Sequence, residues 1–172
     1  MKKIILTLVA IAAFVFTPVV ADNSANKTIN VTGKARIITP ITLANTDAQA
    51  LDFGVIARGT SQSTVVVNHV ASPAINVATG DAVVLTSTPQ TAAKFTVGGE
   101  TGKTYAITIP IGSQSITDGT NTLNITNFTC SNGASGTIGV GDIFYVGGTL
   151  TVPAAAVAAS YTGTFSVTVN YN

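Results

Sequence analysis

The chain has 172 residues, of which 9% are charged and 46% apolar, with one cysteine, one histidine and no tryptophan. Eight basic residues against seven acidic ones leave a formal net charge of +1, so there is no basic patch for nucleic acid and no acidic tail. A lone histidine cannot build a multi-ligand metal site, and the polar surface must come from uncharged groups, above all 28 threonines.

Residues 1–21 read as a secretory signal peptide. Lys2 and Lys3 precede an apolar run from Ile4 to Phe16, which is too short to span a bilayer as a helix. Pro18 breaks the run, and Val19-Val20-Ala21 sets small residues before a cut ahead of Asp22. The expectation is a secreted bacterial protein with one mature domain over 22–172 and no membrane span after cleavage. Without Lys2 and Lys3, six basic residues face seven acidic ones. A threonine-rich, lysine-poor sheet surface carries few charges that would block pairing at its edges.

The mature chain alternates between apolar and polar residues in many short stretches. Ile29, Val31, Gly33, Ala35 and Ile37 share one side of the first, with Asn30, Thr32, Lys34 and Arg36 on the other. Pro40 limits any strand there to an edge or a bend. Leu51 to Ile56 is an apolar run closed by Arg58-Gly59. From Thr64 to His69, Val65 and Val67 face one way and Val66 the other. Loops at Pro73, Gly80-Asp81 and Pro89 flank a strand over Ala82 to Thr86, and Lys94 to Val97 forms the next.

Tyr105, Ile107, Ile109 and Ile111 make a further alternating set, and Asp118-Gly119 signals a two-residue hairpin turn. From Leu123 to Cys130 the phase changes: Leu123 and Ile125 are apolar at odd positions, Phe128 and Cys130 at even ones. A regular strand cannot bury both sets on one face, which predicts a β-bulge near Asn127. Residues 132–136 read as a loop. Asp142 to Val146 and Thr149 to Val152 read as strands separated by Gly147-Gly148, a second turn or bulge, and Ala154 to Ala159 as a helical turn too short to stand alone.

Tyr161 to Asn172 has the cleanest alternation of all, with Tyr161, Gly163, Phe165, Val167, Val169 and Tyr171 on one side and only Thr, Ser and Asn on the other. Many short strands with a turn signal roughly every ten residues predict an all-β, antiparallel sandwich or barrel.

Candidate chemistry is sparse. Cys130 cannot form an internal disulfide; in a strand-like run it reads as a small buried hydrophobe, or else as a reactive or intermolecular thiol. His69 sits among valines and asparagine, the carboxylates are scattered, and no G-x-S-x-G elbow occurs. Gly136, Gly139 and Gly141 lack the Lys-Ser/Thr ending of a phosphate loop. These features point away from an enzyme and call for no cofactor and no metal. Eleven aromatic residues are too few for the two girdles of an outer-membrane barrel.

Four motifs carry a resemblance: Ile38-Thr39-Pro40-Ile41-Thr42-Leu43, Leu51-Asp52-Phe53-Gly54, Val146-Gly147-Gly148-Thr149-Leu150, and Tyr161-Thr162-Gly163-Thr164-Phe165 through Val169-Asn170-Tyr171. In this order they resemble a bacterial family of secreted domains of unknown function (number forty-four-oh-two), itself similar to spore coat protein U and to chaperone–usher pilins. The resemblance implies an immunoglobulin-like, pilin-like sandwich that lacks one strand, completed by a periplasmic chaperone and then by the N-terminal extension of another subunit at an outer-membrane usher. It implies that Tyr161, Gly163, Phe165, Val167, Val169 and Tyr171 line a partner-strand groove. The Asn172 carboxylate would be gripped by the chaperone. Ile29, Val31, Gly33, Ala35 and Ile37, within an extension over 22–37, would be the donor strand.

The protein would then be a non-catalytic subunit of a surface fibre or coat, self-associating or joined to a related subunit. It would pass through the periplasm of a Gram-negative bacterium to the cell surface or fimbrium and serve cell adhesion. The early disulfide of such pilins is absent here. The N-terminal segment also fits the first strand of a complete sandwich. The other functional expectation is a monomeric secreted binding module for glycan or another surface ligand, with Tyr105 and Tyr145 as candidate aromatic platforms.

Overall fold

A computed structural model describes residues 26–45, 48–72 and 76–172, with residues 76–78 described through their backbone alone. Residues 1–25, which hold the expected signal peptide and the start of the expected extension, lie outside the described residues. The chain divides into two units, one ending at Arg36 and one from Ile37 to Asn172. In the first, residues 26–36 belong to no strand and are exposed, Ile29 by 82% and Val31 by 86%.

The second unit is all-β. Its strands are β1 (Thr42–Ala44), β2 (Ile56–Ala57), β3 (Ser63–Val67), β4 (Asn76–Thr79), β5 (Val83–Val84), β6 (Ala93–Gly98), β7 (Thr104–Thr108), β8 (Gln114–Thr117), β9 (Thr122–Cys130), β10 (Ser135–Thr137), β11 (Asp142–Val152) and β12 (Thr168–Tyr171). Every pairing is antiparallel.

The main sheet is organised along β11. On one edge its first half pairs with β6 and its second half with β3; on the other edge it pairs with β9. β1 extends the sheet beyond β6, β4 beyond β3, and β8 beyond β9. A second, three-stranded sheet has the order β10-β7-β12, which puts β12 at an edge. β2 and β5 form a separate ribbon.

The side chains of Phe144, Val146, Leu150 and Val152 alternate along β11 and are all buried, so one face of this strand points to the core from end to end. Two apolar clusters lie along it. Phe144 and Val146 join Tyr105, Ile107 and Val169 in a cluster covered by the second sheet. Leu150 and Val152 join Phe53, Val65, Val67, Leu123 and Ile125 in the other. Phe128 and Leu51 touch both.

The bulge is where the change of phase puts it. Asn127 has φ of 48°, and the β9–β11 register shifts between Thr149↔Thr126 and Gly147↔Thr129. That one extra residue turns both Ile125 and Phe128 inward. Val65 and Val67 are fully buried, with Val66 opposite them, as the alternation requires.

Other expectations are corrected. Gly147-Gly148 is not a turn, because β11 runs through it; the β9–β11 register does shift there. The Asp118-Gly119 turn is a four-residue loop: the Asp118 carboxylate accepts hydrogen bonds from the amides of Thr120 and Asn121, which stabilises a wider connection. β7 ends before Pro110, which leaves Ile109 half-buried and Ile111 98% exposed. Ala154–Ala159 makes one reverse turn, closed by Ala156 N–H to Pro153 O, and no helix. The short strands β4, β8 and β10 were not anticipated.

One loop is closed by a single carboxylate. Asp81 accepts hydrogen bonds from the amides and hydroxyls of both Thr60 and Ser61, at 2.6–3.1 Å. These bonds hold its carboxyl far below the ordinary value of 3.8. A carboxyl depressed in the fold contributes stability above its unfolded value and loses it as pH falls through the folded one. Asp81→Asn should therefore lower the melting temperature at neutral pH. The gap from the native protein should stay constant down to about pH 5 and shrink as acid is added below about pH 4; thermal melts across pH 2–7 measure it.

Candidate functional site

The second sheet covers only half of the main sheet. Over the cluster containing Leu150 and Val152, the opposite layer consists of the short β2–β5 ribbon and two largely irregular segments, residues 50–55 and 156–165, with a groove of about 760 Å³ among them. Leu123, Ile125, Leu150 and Val152 form its floor. Leu51, Phe53 and Ile56 stand on one wall and Tyr161, Gly163 and Phe165 on the other.

The first wall is held from its outer flank. Asp52 and Thr91 exchange backbone hydrogen bonds, and Leu85 N–H donates to Val55 O. The Asp52 carboxylate accepts the Gly54 amide at 2.8 Å, and Gln90 Nε2 donates to Phe53 O at 3.2 Å. Arg58 Nη1 donates to the carbonyls of Ala154 and Ala156 at 3.4 and 2.8 Å. Apart from the isolated Asp52–Thr91 bridge, residues 50–55 belong to no strand.

The second wall is the start of the last strand. Its inward alternation continues unbroken: Phe165, Val167 and Tyr171 are half-buried and Val169 is buried, while Thr164, Ser166, Thr168 and Asn170 are exposed. The ladder, however, covers only Thr168–Tyr171 on β7, with one further bridge from Thr162 to Thr117. Residues 163–167 belong to no strand. Gly163 permits a close approach to β8, since a Cβ there would overlap Ser115 O and crowd Ile116. Phe165 tilts against Phe128 with ring centroids 5.1 Å apart, at the seam between the two clusters.

The anticipated groove residues thus fall into two groups. Tyr161, Gly163 and Phe165 line the groove. Val167, Val169 and Tyr171 pack into the neighbouring cluster under the second sheet, and Asn172 is exposed. The Tyr171 hydroxyl donates to Thr39 O at 2.7 Å and accepts from the Glu100 amide at 2.8 Å, so this end of the strand is pegged to the base of the N-terminal segment. A Cβ on Gly99 would overlap that hydroxyl, so the peg needs glycine there. Ile29, Val31, Gly33 and Ala35 lie exposed in the first unit, and Ile37 is 96% exposed at the start of the second. The wall over 50–58 was not foreseen as part of a site; its only mark in the sequence is the Leu51-Asp52-Phe53-Gly54 motif.

Tyr105 is fully buried, and its hydroxyl donates to Asp142 Oδ2 at 2.7 Å. Burial and this carboxylate push its hydroxyl far up. Tyr145 packs against the first cluster. Cys130 is half-buried against the second, and burial raises its thiol. Among the described residues, no group of three His, Cys, Asp or Glu side chains could hold a metal, and no helix is long and apolar enough to cross a membrane.

The class defined by this geometry is an antiparallel β-sandwich with an apolar groove at its uncovered end. The chain belongs to the family described as Domain of unknown function (DUF4402), which it matches over residues 41–171. No curated protein and no solved structure was found to match it.

Val167 tests the inward face of the last strand. Val167→Lys should put a charge into the second cluster and prevent accumulation of folded protein, whereas Thr168→Lys on the outer face should change stability by less than about 0.5 kcal/mol. Secretion yield and urea unfolding of the two variants make the comparison.

Proposed function

We propose that this chain is a non-catalytic structural subunit of a bacterial surface fibre or coat, assembled by strand exchange. One observation carries the reading. The same molecule has an apolar groove at the uncovered end of its sandwich and a segment over residues 29–37 that is apolar at every second position, belongs to no strand and is exposed. A strand laid between residues 50–58 and 161–167 would pair with backbone that has few ladder partners of its own and would cover the first cluster. Ile29, Val31, Gly33, Ala35 and Ile37 of another copy, or of a related subunit, supply side chains of the right spacing for it.

In this reading residues 1–21 direct export, and residues 22–37 are the donor extension of a single domain. A periplasmic chaperone holds the groove, and the exposed Asn172, before an usher passes the subunit to the surface. Each large apolar side chain buried by the incoming strand is worth roughly 1.5–3 kcal/mol. Three or four of them match the stability of a whole domain, about 5–15 kcal/mol. The binding-module reading rests on an exposed aromatic platform at Tyr105 or Tyr145; Tyr105 is fully buried and Tyr145 is half-buried.

The mature protein, run unheated on a denaturing gel, should give a ladder of resistant oligomers that collapses on boiling. Removal of residues 22–34 should leave a folded protein that no longer forms the ladder. A single monomer band before boiling, or loss of folding on that deletion, would count against strand exchange.

A further inference from the structure

One stretch of the groove's lining is only lightly anchored. Between the end of β11 and Tyr161 the chain runs along the groove as Pro153-Ala154-Ala155-Ala156-Val157-Ala158-Ala159-Ser160, and residues 156–160 line it. This stretch joins no ladder. Its side chains are nearly all single methyl groups, of which only Ala156 packs on the first cluster, and Val157 is 50% exposed. It is fastened by hydrogen bonds to its carbonyls from the two walls. Arg58 reaches Ala154 O and Ala156 O from one side, and the Tyr161 hydroxyl reaches Val157 O at 2.9 Å from the other.

We propose that residues 154–160 are a lid on the groove, latched by Arg58 and Tyr161, and that releasing the latch admits the incoming strand. This rests on the strand-exchange reading and adds its regulation. A cover made of alanines gives up little buried apolar area when it leaves, because each methyl removes far less surface from water than Leu or Val. What holds it is therefore mostly the charge-assisted bonds of Arg58, the stronger kind of hydrogen bond. Both latch residues also line the groove, so an entering strand competes with the lid for the same edges. A leucine-rich lid would block the groove permanently, and an unlatched one would leave the floor open to any passing strand.

The test uses the full mature chain and a fluorescent synthetic peptide of residues 26–38, with association followed by anisotropy in stopped flow. Arg58→Ala should take up the peptide about tenfold faster than the native protein, the change expected from losing its two exposed bonds to Ala154 O and Ala156 O. Arg58→Lys should fall between them. Tyr161→Phe keeps the ring and removes only the Val157 bond, so it should accelerate uptake less, and it serves if Arg58→Ala does not fold. Saturable binding at equal rates in the native protein and in Tyr161→Phe and the folded Arg58 variants overturns the lid and leaves strand exchange standing. Failure of every protein to bind the peptide removes the strand-exchange reading and the lid with it.

Discussion

Everything in this domain depends on covering one face of β11. Its inward side chains run from Phe144 to Val152 without a break, and a strand that buries every second residue over that length needs a second layer of equal length. The second sheet supplies half of it, through β7 and β12. The remainder is covered by the two-residue strands of the β2–β5 ribbon and by chain without regular structure. The molecule therefore has a well-ordered half, where sheet packs on sheet, and a makeshift half, where residues 50–58 and 156–165 approach each other around a groove.

The two halves are joined by a few residues with double duties. Phe128 and Leu51 contact both clusters, and Phe165 leans on Phe128 at the boundary. The bulge at Asn127 makes this possible, since without the extra residue Phe128 would point to solvent. A local backbone irregularity, a positive φ in a strand, is thus what lets two clusters share one wall.

The sequence showed which side chains face inward where strict alternation coincides with packed chain; it did not show that residues 29–37 join no strand or that the last ladder begins only at Thr168. The last strand, the Val65/Val67 pair and the Asn127 bulge were legible because period 2, or a break in it, is a local signal. Extrapolation failed where a local feature ended the period, as Pro110 did for Ile109 and Ile111, and where a side chain changed a turn, as Asp118 did. The strands β4, β8 and β10 are three or four residues long and owe their existence to a neighbour rather than to their own pattern. The groove was legible only on one side. Tyr161 and Phe165 announce themselves by alternation, whereas residues 50–58 are placed by bonds to Thr91, Gln90 and Leu85, far away in sequence.

The peg between Tyr171 and Thr39 bears on the shape of an assembly. Phe165 and Tyr171 are six residues apart on extended chain, which is roughly 20 Å at about 3.3 Å per residue. The groove lies at one end of this span, and Thr39, near the start of the second unit, is bonded at the other. Copies joined in the proposed way would use two different surfaces in every contact, a heterologous arrangement that does not close unless a rotation happens to bring the ends together. Such a polymer is a polar line. Its two tips stay chemically distinct however long it grows.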